Sequence, residues 1–324
     1  MKKNIIYSPL LDIEIMRLLL DYVKEYDQKA NLEFKSSSPL QDILKDIPID
    51  LYQSVQDLKG EPFLFESIIG DHSSKKLFDA FRERNNFSLN IPLPPKPFEN
   101  TIFVTAAAIM EFIQTWPGFC RSKKQNYNIV KEDSFSGTEI EVAGFCLHNV
   151  NVAIKTGTQS TETVSATLEL GNNFSLNFCD LSAFENGKSL RDEKADFATL
   201  LNLIDVKTIS SHKKSYLYCP CIEVSENVKN HLKGLSYKNT VLNPFLEKVE
   251  ITFSETFGKL KLSEKGVEMR VETVASARMV FSARATQETT PPPLVIKNGL
   301  VLRLYHDETL IFIAYIPQEN FQII

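Results

Sequence analysis

The chain has 324 residues, 43% of them hydrophobic and 24% charged, with a formal net charge of -5 at pH 7. That is globular composition with ample core, long enough for two domains but also within the range of one large mixed fold. It excludes a protein that grips nucleic acid through a basic stripe, because the clusters at 121–124 and 212–214 are short and read as solvated surface.

In chain order, residues 4–7 give a short strand signal, and Ser8-Pro9 opens a helix on which Ile13, Met16, Leu19, Leu20 and Val23 share one face. Residues 27–70 hold short apolar runs broken by Pro39, Pro48 and Pro62, and little is assigned there. Ser73 is the expected cap of a helix carrying Leu77, Phe78 and Phe81. Residues 88–98 form a proline-rich connector. The apolar run 101–115 reads as a strand buried on both faces, on its β-branched and aromatic content. Short strands with polar turns follow at 140–145, 150–155, 163–170 and 174–178. Phe197, Leu200, Leu201 and Ile204 mark a helix, and 216–224 a strand. Ser225 is the expected cap of a short helix that Gly234 ends, and 248–253 and 259–262 are strands. Interspersed helices and strands without regular βαβ alternation give an α+β fold with antiparallel sheets.

The start of the chain carries two lysines, but Pro9, Asp12 and Glu14 interrupt its apolar run and no small-residue cleavage site follows, so a signal peptide is not expected. Five cysteines, an odd number in a long chain, do not read as a disulfide framework. Cys120, Cys146 and Cys179 sit among apolar residues as buried thiols, and Cys219-Pro220-Cys221 is too tightly spaced for a redox or zinc motif. A reducing, cytoplasmic location is expected, with export by an unconventional route left open. No membrane-spanning run occurs, and neither a cofactor nor a metal is expected. The five histidines, His72, His148, His212, His231 and His306, lack ligand-spaced partners. His148 near Cys146 lacks the surroundings of a nucleophile pair, and His306-Asp307 is ordinary turn chemistry. The chain is read as a non-enzyme.

The C-terminal sixty residues are the most informative. A strand-like lead ends at Glu264-Lys265-Gly266, and a long segment without a core of its own follows. It closes at Pro291-Pro292-Pro293, and two strand-like runs, 300–305 and 310–316, then flank His306-Asp307-Glu308. This block resembles the hinge, reactive loop and C-terminal hairpin of the serpins. Other blocks resemble the same family in the right order. NIIYSPLLDI is similar to its strand-to-helix opening. IPLPPKPFENTIFVTAAAIMEFIQTW resembles its proline connector, central strand and breach tryptophan, Trp116. LELGNNFSLNF resembles a strand pair of its second sheet, and YCPCIEVSENVKNHLKGL the strand before a short helix.

The resemblance implies one serpin-like domain over 1–324, with a large mixed sheet, a second antiparallel sheet, surrounding helices and an exposed reactive loop over about 267–293. It implies a monomer whose partner is a serine or cysteine protease, with no nucleic-acid or membrane partner. In such a protein the protease attacks a bait bond. The cut loop then inserts into the sheet and distorts the trapped enzyme. Counting from Glu264 at the family's spacing puts the bait bond at Val280-Phe281, with Arg278 and Arg284 as alternatives for trypsin-like enzymes.

The chain also departs from the family. Val267, Glu268, Met269, Arg270, Val271 and Glu272 stand where fast-inserting members carry small residues. Their period-two alternation would let an inserted strand bury Val267, Met269 and Val271, although the bulk of Met269 costs about 1–3 kcal/mol in a packed sheet. Of the polar network that controls sheet opening, Ser8 is kept. Its second serine falls at Leu11, its asparagine at Ala108, its histidine near Thr256, and the lysine partner of Glu264 at Cys221. The chain begins at the family's second helix, and the stretch between Leu20 and Ser73 is short for the usual helices and edge strand. Impaired trapping is therefore expected. The alternative is a non-inhibitory serpin-fold protein that binds a partner or small ligand, and a degenerate remnant is the weakest option.

Overall fold

The computed structural model describes residues 3–26, 28–46, 58, 62–97, 101–131, 137–156, 161–241, 248–274 and 292–324. Strand β1 (Ile5–Tyr7) leads into α1 (Pro9–Tyr26), where Pro9 fixes the first helical φ and gives up an amide that has no intrahelical acceptor. Leu10, Leu11, Asp12, Ile13, Glu14, Ile15 and Met16 are all buried, so the first half of the helix is enclosed on every side. Strand β2 (Leu32–Lys35) and helix α2 (Pro39–Lys45, capped by Ser38) follow. Then come β3 (Phe63–Gly70) and α3 (Lys75–Arg84).

Beyond the connector lie β4 (Thr105–Thr115), β5 (Ser122–Lys124), β6 (Tyr127–Val130) and β7 (Glu139–Val142). The long strands β8 (Gly144–Thr156), β9 (Thr161–Gly171) and β10 (Phe174–Asp180) precede α4 (Phe197–Leu201), which is closed by an Asp196–Thr199 capping box. Strands β11 (Ile209–Pro220), β12 (Ile222–Lys229), β13 (Ser236–Asn239), β14 (Lys248–Glu250) and β15 (Glu255–Ser263) then lead to β16 (Gly266–Val274). The chain ends with β17 (Leu294–Val295) and the hairpin β18 (Gly299–His306) and β19 (Thr309–Pro317).

Two sheets dominate. A mixed nine-stranded sheet has the order β1-β19-β18-β10-β9-β8-β11-β17, with β5 also pairing β8; the β11–β17 pair is parallel. A five-stranded sheet, β12-β15-β16-β4-β3, is antiparallel at every pairing. The two sheets meet through an aromatic seam: Phe174 of the first lies 5.1 Å from Phe112 and 5.6 Å from Phe63 of the second, ring centre to ring centre. Each such buried ring contributes roughly 1.5–3 kcal/mol by leaving water. The opposite face of the five-stranded sheet carries a smaller core, in which Phe78 and Phe81 of α3 and Phe87, Leu89 and Ile91 of the connector cover Ala107 and Ile109.

Several expectations are corrected. Ser225 caps no helix. It sits mid-strand in β12 opposite Lys259, because alternate residues of 222–229 point into and away from the protein. The cap position of α3 is Ser74, while Ser73 bonds back to Asp71; Phe78 and Phe81 are buried as expected, but Leu77 is exposed. The stretch left largely unassigned holds β2, α2 and β3. The strand expected over 216–224 is two strands, β11 and β12, that belong to different sheets. The loop expected to be exposed from 267 begins instead as a strand, since 266–274 is β16.

Candidate functional site

The site begins with that strand. β16 lies in the middle of the five-stranded sheet, antiparallel to β15 on one side and β4 on the other. Met269 stands between Leu260 and Phe112, Val271 between Gly258 and Met110, and Val267 between Leu262 and Gln114. All three of these side chains are buried, 0–1% exposed, on the face that meets the main core. The turn Glu264-Lys265 joins β15 to β16 so tightly that Ser263 pairs with Gly266. A Cβ at Gly266 would sit 2.2 Å from the Gln114 carbonyl oxygen of β4, so this position admits no side chain while the strand is in place.

The charged face of β16 is equally committed. Arg270 donates from Nε to Glu272 at 2.8 Å, from Nη1 to Glu111 at 2.9 Å, and from Nη2 to the carbonyls of Asn85 and Asn86 at 2.7 and 2.8 Å. Burial pulls its pKa down, but the hydrogen bonds it donates to Glu111 and Glu272, with the charge of both carboxylates, outweigh this and the net shift is upward. The Glu272 carboxylate is fully buried and also accepts the backbone N–H groups of Ser88 and Leu89, at 2.7 and 3.1 Å. The connector is thereby tied across the strand. Charge-assisted bonds of this kind are about twice as strong as neutral ones.

Trp116 closes the upper end. Its Nε1–H donates to the Ser263 carbonyl at 2.9 Å, and its ring lies 5.9 Å from that of Phe145. Ser122 Oγ donates to the Glu264 carbonyl at 2.6 Å. Ser8, fully buried at the start of α1, donates to the Ile311 carbonyl at 2.7 Å and touches Met110 Sδ at 3.6 Å. It thus bridges the two sheets beneath β4. Ala108, Thr273 and Thr256 form one row across β4, β16 and β15.

The sequence reading missed a second polar group. Tyr7 Oη donates to Asp12 at 2.5 Å, His231 Nε2 lies 3.1 Å from the same carboxyl, and Ser254 Oγ lies 3.3 Å from His231 Nδ1. These residue types suggest a hydrolase, but Asp12 and Ser254 are fully buried, the His231 side chain is 5% exposed, and Ser254 Oγ accepts the Leu232 N–H. The group fastens α1 to the turn after β12. Burial raises the Asp12 pKa well above 3.8 and lowers that of His231 from 6.5 to about 3. The two shifts pull in opposite directions. Above pH 3.8 the folded Asp12 holds a proton that the unfolded one gives up, so its contribution to stability falls as pH rises towards its raised pKa; His231, which stays neutral when folded, costs stability as pH falls below 6.5.

No family model and no curated protein matches the sequence. Solved structures do. Tengpin, a thermophilic serpin in the latent state, superposes with a TM-score of 0.50 at 11% identity over 98% of this chain and 92% of its own. A loop-inserted, cleaved ovalbumin mutant gives 0.50 at 11% identity over 97% and 93%. Cleaved Serpin 42Da gives 0.51 at 9% identity over 95% and 97%. The chain has the serpin fold. At these identities the likeness concerns architecture alone.

The structure thus brings Ser8, Trp116, Glu264, Gly266, Val267, Met269 and Val271 onto or against one sheet. Val280, Phe281, Arg278 and Arg284 lie outside the described residues. The five cysteines are unpaired, four of them buried and Cys221 half-buried. Burial pushes the Cys120 thiol up to about 11 and the Cys179 thiol up to about 12, the opposite of what a reactive thiolate needs. No group of three or more acidic, histidine or cysteine side chains suited to a metal occurs among the described residues. Among them, too, no helix is long and apolar enough to cross a membrane.

Proposed function

We propose that this protein is a non-trapping member of the serpin-fold proteins, one that meets its partner as a binding protein or protease substrate rather than as a mechanical inhibitor. The observation that supports this reading is the occupied centre of the five-stranded sheet. A serpin trap runs on the free energy released when the segment after the hinge enters that position. Here the chain's own residues 266–274 already fill it, paired on both sides. Once the strand is in place, cleavage at Val280-Phe281, or at Arg278 or Arg284, has no insertion left to drive. The three comparison serpins are themselves described as latent, loop-inserted or cleaved.

The test is a single nick between Ala277 and Thr286, with melting temperatures taken before and after. A resident strand predicts an unchanged melting temperature. It also predicts that serine proteases of trypsin, chymotrypsin and elastase type, and cysteine proteases, form no denaturant-resistant complex. A second reading keeps the chain in the protease-inhibitor class, with β16 expelled before cleavage and the structure as its end state. It is favoured by how completely the inserted strand satisfies its side chains. A large rise in melting temperature on nicking, together with a stable protease complex, would establish that second reading and reject the first.

A further inference from the structure

Two basic clusters that look ordinary in the sequence meet at one end of the nine-stranded sheet. Arg121 stands just before β5, Lys214 lies on β11, and β8 runs between them as the pairing partner of both strands. At this point β8 is irregular. Val150 faces Ser215 and His148 faces Tyr216, so Asn149 has no opposite residue and forms a bulge, with its φ at +65°. A non-glycine residue held in the left-handed region mid-strand is a local cost that the surroundings must maintain, and bulges re-aim the side chains around them. The surroundings are explicit: Asn149 Nδ2 donates to the Phe119 carbonyl at 2.9 Å, and the His148 N–H to the Arg121 carbonyl at 2.9 Å.

The bulge opens a cavity of about 280 Å³ lined by Arg121, His148, Asn149, Lys214, Ser215 and Tyr216. Neither Arg121 nor Lys214 has an acidic partner among the described residues, and the same holds for Lys123 and Lys124 on the adjoining β5. Lys214 Nζ is held at 2.8 Å from the neutral Asn151 Oδ1. Tyr216 is 49% exposed, and its ring is set edge-to-face on His148 at 4.8 Å. Pro292, the first described residue after the bait segment, accepts hydrogen bonds from Thr163 and Ser215 beside this cavity. The cavity therefore adjoins the point where that segment rejoins the fold.

We propose that this cavity binds a small phosphate or sulfate monoester, with the anion held by Arg121 and Lys214 and a flat ring of the ligand laid on Tyr216. A guanidinium fork matches an oxyanion bidentately, and unpaired cations around a concave site raise the local concentration of anions. The volume suits a single small ligand and not a polymer. The site does not depend on whether the hinge strand is resident.

The experiment is calorimetric titration of the full chain with adenosine monophosphate, p-nitrophenyl sulfate and adenosine. Saturable binding of either ester is expected, weaker at high salt, with adenosine at least about ten-fold weaker. Preference between the two esters assigns the anion. Arg121→Ala and Lys214→Ala are each expected to weaken binding about ten-fold with an unchanged melting temperature, because both side chains are exposed. Binding of neither ester overturns the proposal, as does equal affinity for adenosine or undiminished binding in the double variant.

Discussion

Replacing Glu272 by alanine tests whether β16 is truly a strand of the sheet. The carboxylate is fully buried and accepts three hydrogen bonds, one from Arg270 and two from the Ser88 and Leu89 amides. Its loss leaves two donors under the connector without an acceptor and weakens a buried ion pair. Breaking such a pair costs about 3–5 kcal/mol. Arg270 keeps Glu111 and two carbonyls, so the lower end applies. At about 3 kcal/mol the population with β16 out of the sheet rises about 100-fold. Trypsin cleavage after Arg270 reads that population directly when opening is fast relative to cutting. Cleavage in Glu272→Ala should therefore run about 100-fold faster than in the parent, each rate normalised to its own urea-unfolded chain. Glu268→Ala is the control on the same face, because Glu268 is exposed and, among the described residues, is paired with Lys261 alone. If Glu272→Ala and Glu268→Ala are cut at Arg270 at the same normalised rate, the resident-strand argument is wrong.

The Gly266→Ala substitution forces a Cβ against the Gln114 carbonyl, so the top of β16 should separate from β4, with a loss of about 1–3 kcal/mol in urea unfolding and faster tryptic cutting after Lys265. Trp116→Phe removes the bond to Ser263 while keeping a ring against Phe145, and a loss of about 1 kcal/mol is expected. The Asp12–His231 pair gives a pH test by urea unfolding between pH 4 and 6. In an Asp12→Asn variant stability should rise with pH by up to about 1.4 kcal/mol per unit, because only the unfolded His231 titrates there, while in the parent the proton kept by Asp12 offsets part of that rise; equal slopes would refute the opposed shifts.

The parts of the fold that could be read from the chain were those with one clear period. Ile13, Met16, Leu19, Leu20 and Val23 repeat at helical spacing, and the last two strands are unbroken apolar runs around a polar turn. Strand β3 was hidden because most of Phe63–Gly70 is only half-buried, so neither face carries a clean pattern. β12 was misread around Ser225 because its polar residues imitate a helix start, although Ile222, Val224 and Val228 alternate as a strand should. The alternation of 267, 269 and 271 was visible, and those side chains do face the core. What the chain could not disclose was occupancy, because the same nine residues satisfy the pattern whether they are paired or waiting to pair. The acceptor role of Glu272 depends on amides 183 and 184 residues away, and the basic cavity depends on the register of β8 against β11. Both are products of tertiary pairing with no local signature.

The hinge departures bear differently on the end state and on the path to it. Met269 is bulky, yet it fills the space between Leu260 and Phe112 and is 1% exposed, so the finished sheet accepts it. Arg270 and Glu272 likewise find each other, Glu111 and the connector backbone once β16 is in place. Before those partners are reached, however, both charges must shed water, and that penalty amounts to several kcal/mol per ion. It falls on the barrier to insertion and not on the product. A strand built this way enters slowly and leaves slowly. On the proposed non-trapping reading, slow entry would leave a bait segment a substrate in a contest with a protease that needs only to hydrolyse its acyl bond, and slow exit would keep the sheet filled. The residues that make the paired strand specific are the same ones that would slow it as the moving part of a trap.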